Sequence, residues 1–428
     1  MDSPPASLDK YHAPQWLGSR AVRRFHVMVK PAGSACNLDC TYCFYLSKQD
    51  LQDGPGGGHM HDDVLERFVR DYIQSVTADE VVFSWQGGEP TLLGVGFFEK
   101  VVALQKKHAK PGQRVENDLQ TNGTLLDEDW ARFLKEHNFL VGLSIDGPRE
   151  IHDHFRVTKH GEPTFDKVFA AAQTLRRHGV RFNTLTCVNR FNASRPLDVY
   201  RFLRRELGST YLQFIPIVEP RDFETVAPQK WDPARLPVLG DPEARPDHPQ
   251  SVVTPWSVDP DEYGYFLSKV WDEWLARDLG KVLVNFCETL VVQRMGMPSQ
   301  VCVYAENCGK GVALEHDGSV YSCDHYVYPE YRLGNVQQTS LGDMVFAPRQ
   351  VRFGYAKSET LPAYCRQCEY LTDCWGECPK NRLLRTPAGE PGLNYLCSGL
   401  KRFFRHASPA ANRMAKSLAK AAPVAQPR

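Results

Sequence analysis

The sequence predicts an α/β protein: a parallel sheet, either doubly wound or curled toward a barrel, followed by a smaller cysteine-rich region. Three observations carry that prediction. From residue 24 onward, six short apolar runs alternate with amphipathic segments, the order that builds a parallel sheet with helical crossovers. Polar motifs of unusual composition follow the first three runs. Eight of the thirteen cysteines fall between residues 302 and 397.

The strand candidates are RFHVMV (24–29), EVVFSW (80–85), RVENDLQ (114–120), LVGLSI (140–145), RFNTLTCV (181–188) and YLQFIPIV (211–218). Between them, DDVLERFVRDYIQSV places Leu65, Phe68, Val69, Tyr72 and Ile73 at helical spacing, and His178-Gly179 reads as a helix stop. Residues 219–260 are rich in Pro and Asp and carry no period, so a long surface loop or insertion is expected. Two linking helices are expected at 260–279 and 282–295. The C-terminal ASPAANRMAKSLAKAAPVAQPR reads as a frayed or disordered tail.

At 428 residues the chain allows one large domain plus a smaller one. Its 51 basic and 51 acidic residues cancel, which gives no support for nucleic acid or an anionic membrane held by bulk charge. The N-terminus lacks the apolar run of a signal peptide, and no later stretch is long enough to span a membrane. A cytoplasmic location is therefore expected, and there thirteen cysteines argue for metal binding rather than disulfides.

The motifs after the first three strand candidates belong at one end of a parallel sheet, where such folds build their sites. The first, SACNLDCTYCFYLSK (34–48), sets Cys36, Cys40 and Cys43 in C-x3-C-x2-C spacing. Three thiolates are one short of a closed zinc site or a saturated cluster. Either a distant side chain supplies the fourth, or a [4Fe–4S] cube keeps one iron open for an outside ligand. The amino and carboxylate groups of S-adenosylmethionine suit that iron, and one electron from the cluster can then cleave a carbon–sulfur bond and release a 5′-deoxyadenosyl radical. A zinc knuckle explains neither the QGGEP turn after the second strand nor the parallel-sheet context.

This C-x3-C-x2-C motif, with an aromatic before its last Cys and QGGEP downstream, resembles the radical SAM superfamily. The resemblance implies a partial (β/α)6 TIM-like barrel of the radical SAM type over 24–218. It implies cofactor contacts from Tyr42 near the adenine and from Gly87, Gly88 and Glu89 of QGGEP, whose bare glycine backbone can approach the methionine amino group. Asn122 of TNG, Ser144 of LSIDGP and Arg156 of HDHFRV would reach the ribose or carboxylate.

The eight later cysteines are Cys302, Cys308, Cys323, Cys365, Cys368, Cys374, Cys378 and Cys397. Eight thiolates complete two further [4Fe–4S] clusters; spacing fixes only that total, and zinc remains the alternative there. The run C-x5-C-x14-C, C-x2-C-x5-C-x3-C and a final Cys resembles the SPASM extension of radical SAM maturases. By that resemblance Cys302, Cys308, Cys323 and Cys378 hold auxiliary cluster I, and Cys365, Cys368, Cys374 and Cys397 hold auxiliary cluster II. Cys187 and Cys287 are left over in apolar runs and read as buried core cysteines.

The piece GSVYSCDHYVYPEYRLGNV, with CFY and WQGGEPTL, resembles the anaerobic sulfatase-maturating enzymes over 24–405. That implies oxidation of a sulfatase Cys or Ser to Cα-formylglycine without oxygen, using three [4Fe–4S] clusters and S-adenosylmethionine. The implied partners are an unfolded or nascent sulfatase polypeptide presenting Cys/Ser-x-Pro-x-Arg, and an electron donor such as flavodoxin or ferredoxin. After the β-hydrogen is abstracted, a base must take the thiol or hydroxyl proton, and Asp324, directly after Cys323, is the candidate. By resemblance Tyr45 and Gln86 orient the substrate segment. The histidines of HMH and HDH read as surface residues.

Two other functions stay in view. A SPASM maturase making thioether crosslinks in a ribosomal peptide would be expected to carry an N-terminal recognition domain, for which 1–23 is too short. A non-catalytic iron–sulfur or zinc scaffold leaves QGGEP unexplained. The expected organisation is an N-terminal extension (1–23), the partial barrel (24–218), the Pro-rich insertion (219–260), linking helices (261–300), a SPASM domain (301–405) and a tail (406–428).

Overall fold

The computed structural model describes residues 23–51 and 58–421. The expected 1–23 extension, apart from Arg23, and residues 422–428 lie outside the described residues.

The six apolar runs form six parallel strands: β1 (His26–Lys30), β2 (Glu80–Trp85), β3 (Arg114–Thr121), β4 (Leu140–Ser144), β5 (Phe182–Val188) and β6 (Tyr211–Pro216). Each pairs with the next in chain order. The crossovers carry α1 (Asp62–Ser75), α2 (Val95–His108), α3 (Glu128–Glu136), α4 (Arg149–Phe155), α5 (Phe165–Arg177) and α6 (Pro196–Arg201). Helix α5 stops at His178-Gly179 as its sequence implies, with Gly179 at φ 64°.

Side chains alternate across each strand, and the helices decide which face is apolar. Phe83 and Trp85 of β2 pack on Phe68 of α1 and Phe98 of α2. Val27 and Val29 of β1 are likewise fully buried. The opposite register therefore lines the concave interior: Lys30 on β1, Gln86 just past β2, Gln120 near the end of β3 and Asn122 just past it, Ser144 at the end of β4 and Asp146 just past it, Cys187 on β5. Gln120 Nε2 donates to Ser144 Oγ across that interior at 2.8 Å.

The linking region differs in detail from the expected helices. Helix α7 (Pro260–Glu273) runs into a wider π-helical turn at Trp274–Asp278. A short seventh strand, β7 (Leu283–Val284), precedes α8 (Asn285–Arg294) and adds to β6.

The sheet does not close. The free edge of β1 is taken by β8 (Gly311–Glu315), parallel to it with Val27 opposite Val312 and Lys30 opposite Glu315. The antiparallel strands β9 (Ser319–Tyr321) and β10 (Arg332–Asn335) follow, giving one ten-stranded sheet. The C-terminal region is completed by α9 (Leu341–Val345), α10 (Pro348–Glu359), α11 (Ala363–Arg366), α12 (Leu371–Cys374), the β11–β12 hairpin (Leu384–Arg385, Pro391–Leu393) and α13 (Cys397–Ala421).

Two expectations need correction. The supposed tail is helical to Ala421, because Leu400, Phe403, Phe404, Ala407, Ala411 and Ala415 make one buried stripe against α7. Small residues permit that approach: a Cβ on Gly399 would lie 1.8 Å from the Pro260 carbonyl oxygen. The segment 219–260 is a loop, but not a surface excursion. Val253, Ser257 and Val258 are fully buried, and backbone bonds from Thr254 to Glu219 and from Val258 to Ile217, both 2.8 Å, staple it onto the end of β6.

Candidate active site at the strand ends

Cys36, Cys40 and Cys43 sit on the loop after β1, within electrostatic reach of one another. The QGGEP turn is fitted beneath them: Gly88 N donates to Gly33 O at 2.9 Å and Glu89 N to Ala35 O at 2.8 Å. Position 88 admits only glycine, since a Cβ there would come within 2.0 Å of Ala35 O. Glu89, expected among the cofactor contacts, is fully buried with its carboxylate engaged by the chain. It accepts from Thr91 N and Oγ1, Thr121 Oγ1 and Asn122 N at 2.6–3.0 Å. Its part is to lock the second motif to the third. Asn122 in turn donates to Asn37 Oδ1 at 2.9 Å and lies 3.7 Å from Cys36 Sγ.

A buried hub stands opposite. Asp146, fully inaccessible, accepts from Arg156 Nε (3.0 Å) and Nη2 (3.3 Å), from Cys187 N (3.0 Å) and from the Tyr42 hydroxyl. Tyr42 and Arg156 are thus joined through a residue that sequence reading passed over, although it stands in the quoted LSIDGP, two positions past Ser144. Cys187 departs from the expected core role. It is half-buried in the interior register, 3.8 Å from Arg156 Nη2, and burial pushes its thiol up to about 12. Cys287 is buried as expected. His152 of HDH is not at the surface: it is fully buried, 3.0 Å from Thr164 Oγ1, with burial bringing its pKa down to about 3.

The third side of the site comes from the C-terminal strands. Asp324, just past β9, is ion-paired with Lys30 of β1, and both are largely buried. Burial raises the Asp324 carboxyl, but Lys30 outweighs it and holds the group below the ordinary range. The Tyr45 hydroxyl donates to Glu315, the strand partner of Lys30, while Lys30 Nζ lies 4.5 Å over the Tyr45 ring. Tyr45 therefore forms wall beside the ion pair. Gln86 is half-buried in the interior register, its N–H donating to Val29 O at 2.8 Å.

Beyond Asp324 a small pocket lies among Phe44, Lys48, His325, Tyr328 and Lys380, lined also by Phe223 and Trp231 of the 219–260 loop. Lys48 is 1% exposed, its Nζ 3.4 Å from Phe223 O and 3.7 Å over the Tyr328 ring; burial lowers its pKa to about 8. Lys380 is paired with Glu219.

The later cysteines fall into two groups. Cys323 lies in electrostatic range of Cys378, Cys302 and Cys308. Lys357, deeply buried, donates to the carbonyls of Cys302 (2.8 Å) and Val303 (2.9 Å) beside that group. Cys397 lies in range of Cys365 and Cys368, and Cys374 in range of Cys397 and Cys365. All four of the second group line one small pocket whose other walls are mostly apolar, with Asn394 and Lys401 among them. Burial pushes the thiols up, Cys36 and Cys308 to about 11 and Cys397 to about 12. Thiolates there are favoured by a bound cationic centre. Among the described residues no three His, Cys, Asp or Glu side chains are gathered around a point that would suit a single metal ion. Two groups of four thiols are the donor set that [4Fe–4S] clusters take.

Fold and site define a radical SAM enzyme with an iron–sulfur C-terminal domain. Residues 31–203 match the radical SAM superfamily, and residues 302–369 match the SPASM iron–sulfur cluster-binding domain. A serine-type anaerobic sulfatase-maturating enzyme of Bacteroides thetaiotaomicron is 43% identical over 93% of this chain and 92% of its own. A cysteine-type enzyme of Clostridium perfringens is 36% identical over 90% of this chain and 96% of its own. The solved structure of native anSMEcpe with bound AdoMet and Cp18Cys peptide superposes with a TM-score of 0.77, at 34% identity, over 92% of this chain and 99% of that one. The chain belongs to the anaerobic sulfatase-maturating enzymes. Its cofactors are [4Fe–4S] clusters and S-adenosylmethionine.

Proposed function

We propose that this chain oxidises a Cys or Ser side chain of a sulfatase polypeptide to Cα-formylglycine. The observation that carries the residue assignment is the Lys30–Asp324 pair: it joins the strand that leads into Cys36, Cys40 and Cys43 to the residue after Cys323. When bound, the cofactors supply one-electron cleavage of S-adenosylmethionine and, through it, abstraction of a substrate β-hydrogen.

The chain's own residues do the rest. Cys36, Cys40 and Cys43 hold the cofactor-binding cluster, with the backbone of Gly87 and Gly88 against the methionine end. Asp146 fixes Tyr42 and Arg156 for the adenine and for the ribose or carboxylate; Asn122 and Ser144 complete that wall. Cys302, Cys308, Cys323 and Cys378 hold auxiliary cluster I; Cys365, Cys368, Cys374 and Cys397 hold auxiliary cluster II. Asp324 accepts the thiol or hydroxyl proton, kept ionised for this by Lys30. Gln86 and the Tyr45 ring flank the reacting side chain. An external one-electron donor such as flavodoxin or ferredoxin feeds the clusters, and the reaction belongs in the cytoplasm, without nucleic acid or membrane. Among the described residues no helix is long and apolar enough to cross a membrane.

The test is an anaerobic assay on Cys-x-Pro-x-Arg and Ser-x-Pro-x-Arg peptides, counting 5′-deoxyadenosine and peptide aldehyde together. Asp324→Asn keeps the shape and loses the proton acceptor. Cofactor cleavage is expected to survive in part while aldehyde falls by roughly 10²–10⁴-fold, the usual worth of a positioned base. Full aldehyde yield would remove Asp324 from the mechanism, and no aldehyde from the parent protein would refute the function.

A further inference from the structure

One helix of this electrically balanced chain is charged on a single sign. Helix α13 carries Lys401, Arg402, Arg405, Arg413, Lys416 and Lys420 with His406, and no Asp or Glu. Its first residue is Cys397. That cysteine, with Tyr364 and Lys401, lines both the pocket of the second cysteine group and a more open surface groove. The groove continues along Arg402, Arg405 and His406. Between solvent and the interior of that cysteine group there is thus a wall one side chain thick.

The positive charge of the groove is mostly uncompensated by carboxylates. Lys401 Nζ bonds to the neutral Tyr364 hydroxyl at 2.9 Å. Arg402 donates to the backbone carbonyl of Asp261, whose carboxylate is held by Arg245 at 2.6 Å. Arg402 also lies in electrostatic range of the Asp261 carboxylate, and His406 faces that of Asp272 at 2.6 Å, but among the described residues neither Lys401 nor Arg405 forms an ion pair.

We propose that this groove is the docking site of an acidic one-electron carrier protein, with a flavin or iron–sulfur centre, that reduces the enzyme through auxiliary cluster II. The inference rests on the proposed ligation of that cluster by Cys365, Cys368, Cys374 and Cys397. In the step, the carrier's centre is oxidised by one electron and the cluster is reduced by one; no bond forms or breaks. Charge complementarity selects the partner and speeds encounter. A polyanion such as nucleic acid would meet the same charge, but it has nothing to exchange with a thiolate-held centre in the groove wall.

The experiment uses the anaerobic, cluster-loaded full chain and an acidic flavodoxin in its hydroquinone state. Affinity and stopped-flow reduction rate are read at low and high salt for the parent, for Arg402→Glu/Arg405→Glu and for Lys106→Glu/Lys167→Glu, a matched reversal on exposed residues of α2 and α5. The parent's affinity should fall with salt, and the groove variant should lose about tenfold or more in both readouts. Iron content and dithionite-driven cofactor cleavage should stay unchanged, and the α2/α5 variant should match the parent. Equal losses in both variants, or a groove variant that binds flavodoxin like the parent, would overturn the docking site while leaving the cluster assignment intact. A single-stranded oligonucleotide that binds the groove while flavodoxin does not would also overturn it. About four irons per chain in place of about twelve would instead sink the cluster reading, and the inference with it.

Discussion

The Asp146 hub permits a quantitative separation of scaffold from cofactor site. Asp146→Asn keeps the volume but removes the negative charge that faces Arg156 at 3.0 and 3.3 Å, with Asp146 fully buried and Arg156 7% exposed. Breaking one partner of a buried pair leaves an uncompensated charge and costs about 3–5 kcal/mol. Arg156→Met should cost a similar amount by stranding the carboxylate. The double variant contains neither charge, so its loss should fall short of the sum by at least about 2 kcal/mol. Urea unfolding of the anaerobic, cluster-loaded protein, followed by tryptophan fluorescence, measures the three costs. S-adenosylmethionine affinity, read from its effect on the cluster's EPR spectrum, measures the second role. The double variant should regain stability without regaining affinity, because Arg156 is the proposed cofactor contact. Additive losses, or single losses below about 1 kcal/mol, would refute the hub.

Two further outcomes follow from close packing and burial. Gly88→Ala forces Ala35 and the cysteine loop apart, so the protein should cleave no S-adenosylmethionine yet keep about two-thirds of its iron, that of the eight C-terminal thiolates; parental cleavage would show that the turn can yield. Lys48, with a folded pKa of about 8 against about 10.4 unfolded, binds fewer protons in the fold, so its penalty is full below pH 8 and fades as pH rises. Lys48→Met should therefore stabilise the protein at pH 7 by up to about 3 kcal/mol, with the gain shrinking toward pH 9.5; a gain independent of pH would mean packing, not charge, is responsible.

The parallel order of the first six strands was legible because each apolar run is bounded by an amphipathic segment of a different period. Motifs at strand ends were legible for the same reason: topology alone sends them to one face. What escaped was whatever depends on tertiary pairing. Lys30 lay just past the first strand candidate, 24–29, and gave no signal of its own until Asp324, 294 positions later, was placed against it. Glu89 looked like a ligand contact, but its partners Thr121 and Asn122 come from the next strand. Period-two alternation through β5 could have moved Cys187 from the core to the interior face, as could alternation through β4 for Asp146. The second half of the C-terminal helix was missed because its buried stripe there is Ala407, Ala411 and Ala415, which carry almost no hydropathy signal until the packing against α7, at Gly264 and Gly399, shows how close it must lie.

The hydrogen bonds between β1 and β8 have a consequence for how such a protein can evolve and be handled. Strand β1 is flanked by β2 on one side and by residues 311–315 on the other, so the region that carries the auxiliary cysteines is grafted onto the founding edge of the barrel sheet. A chain ended near residue 300 would present the open edge of β1, a template for pairing with other chains, directly beneath the cysteine loop. The second and third cysteine groups are therefore not an accessory that can be cut away to leave a minimal enzyme. Parting the two regions would mean unzipping the sheet itself.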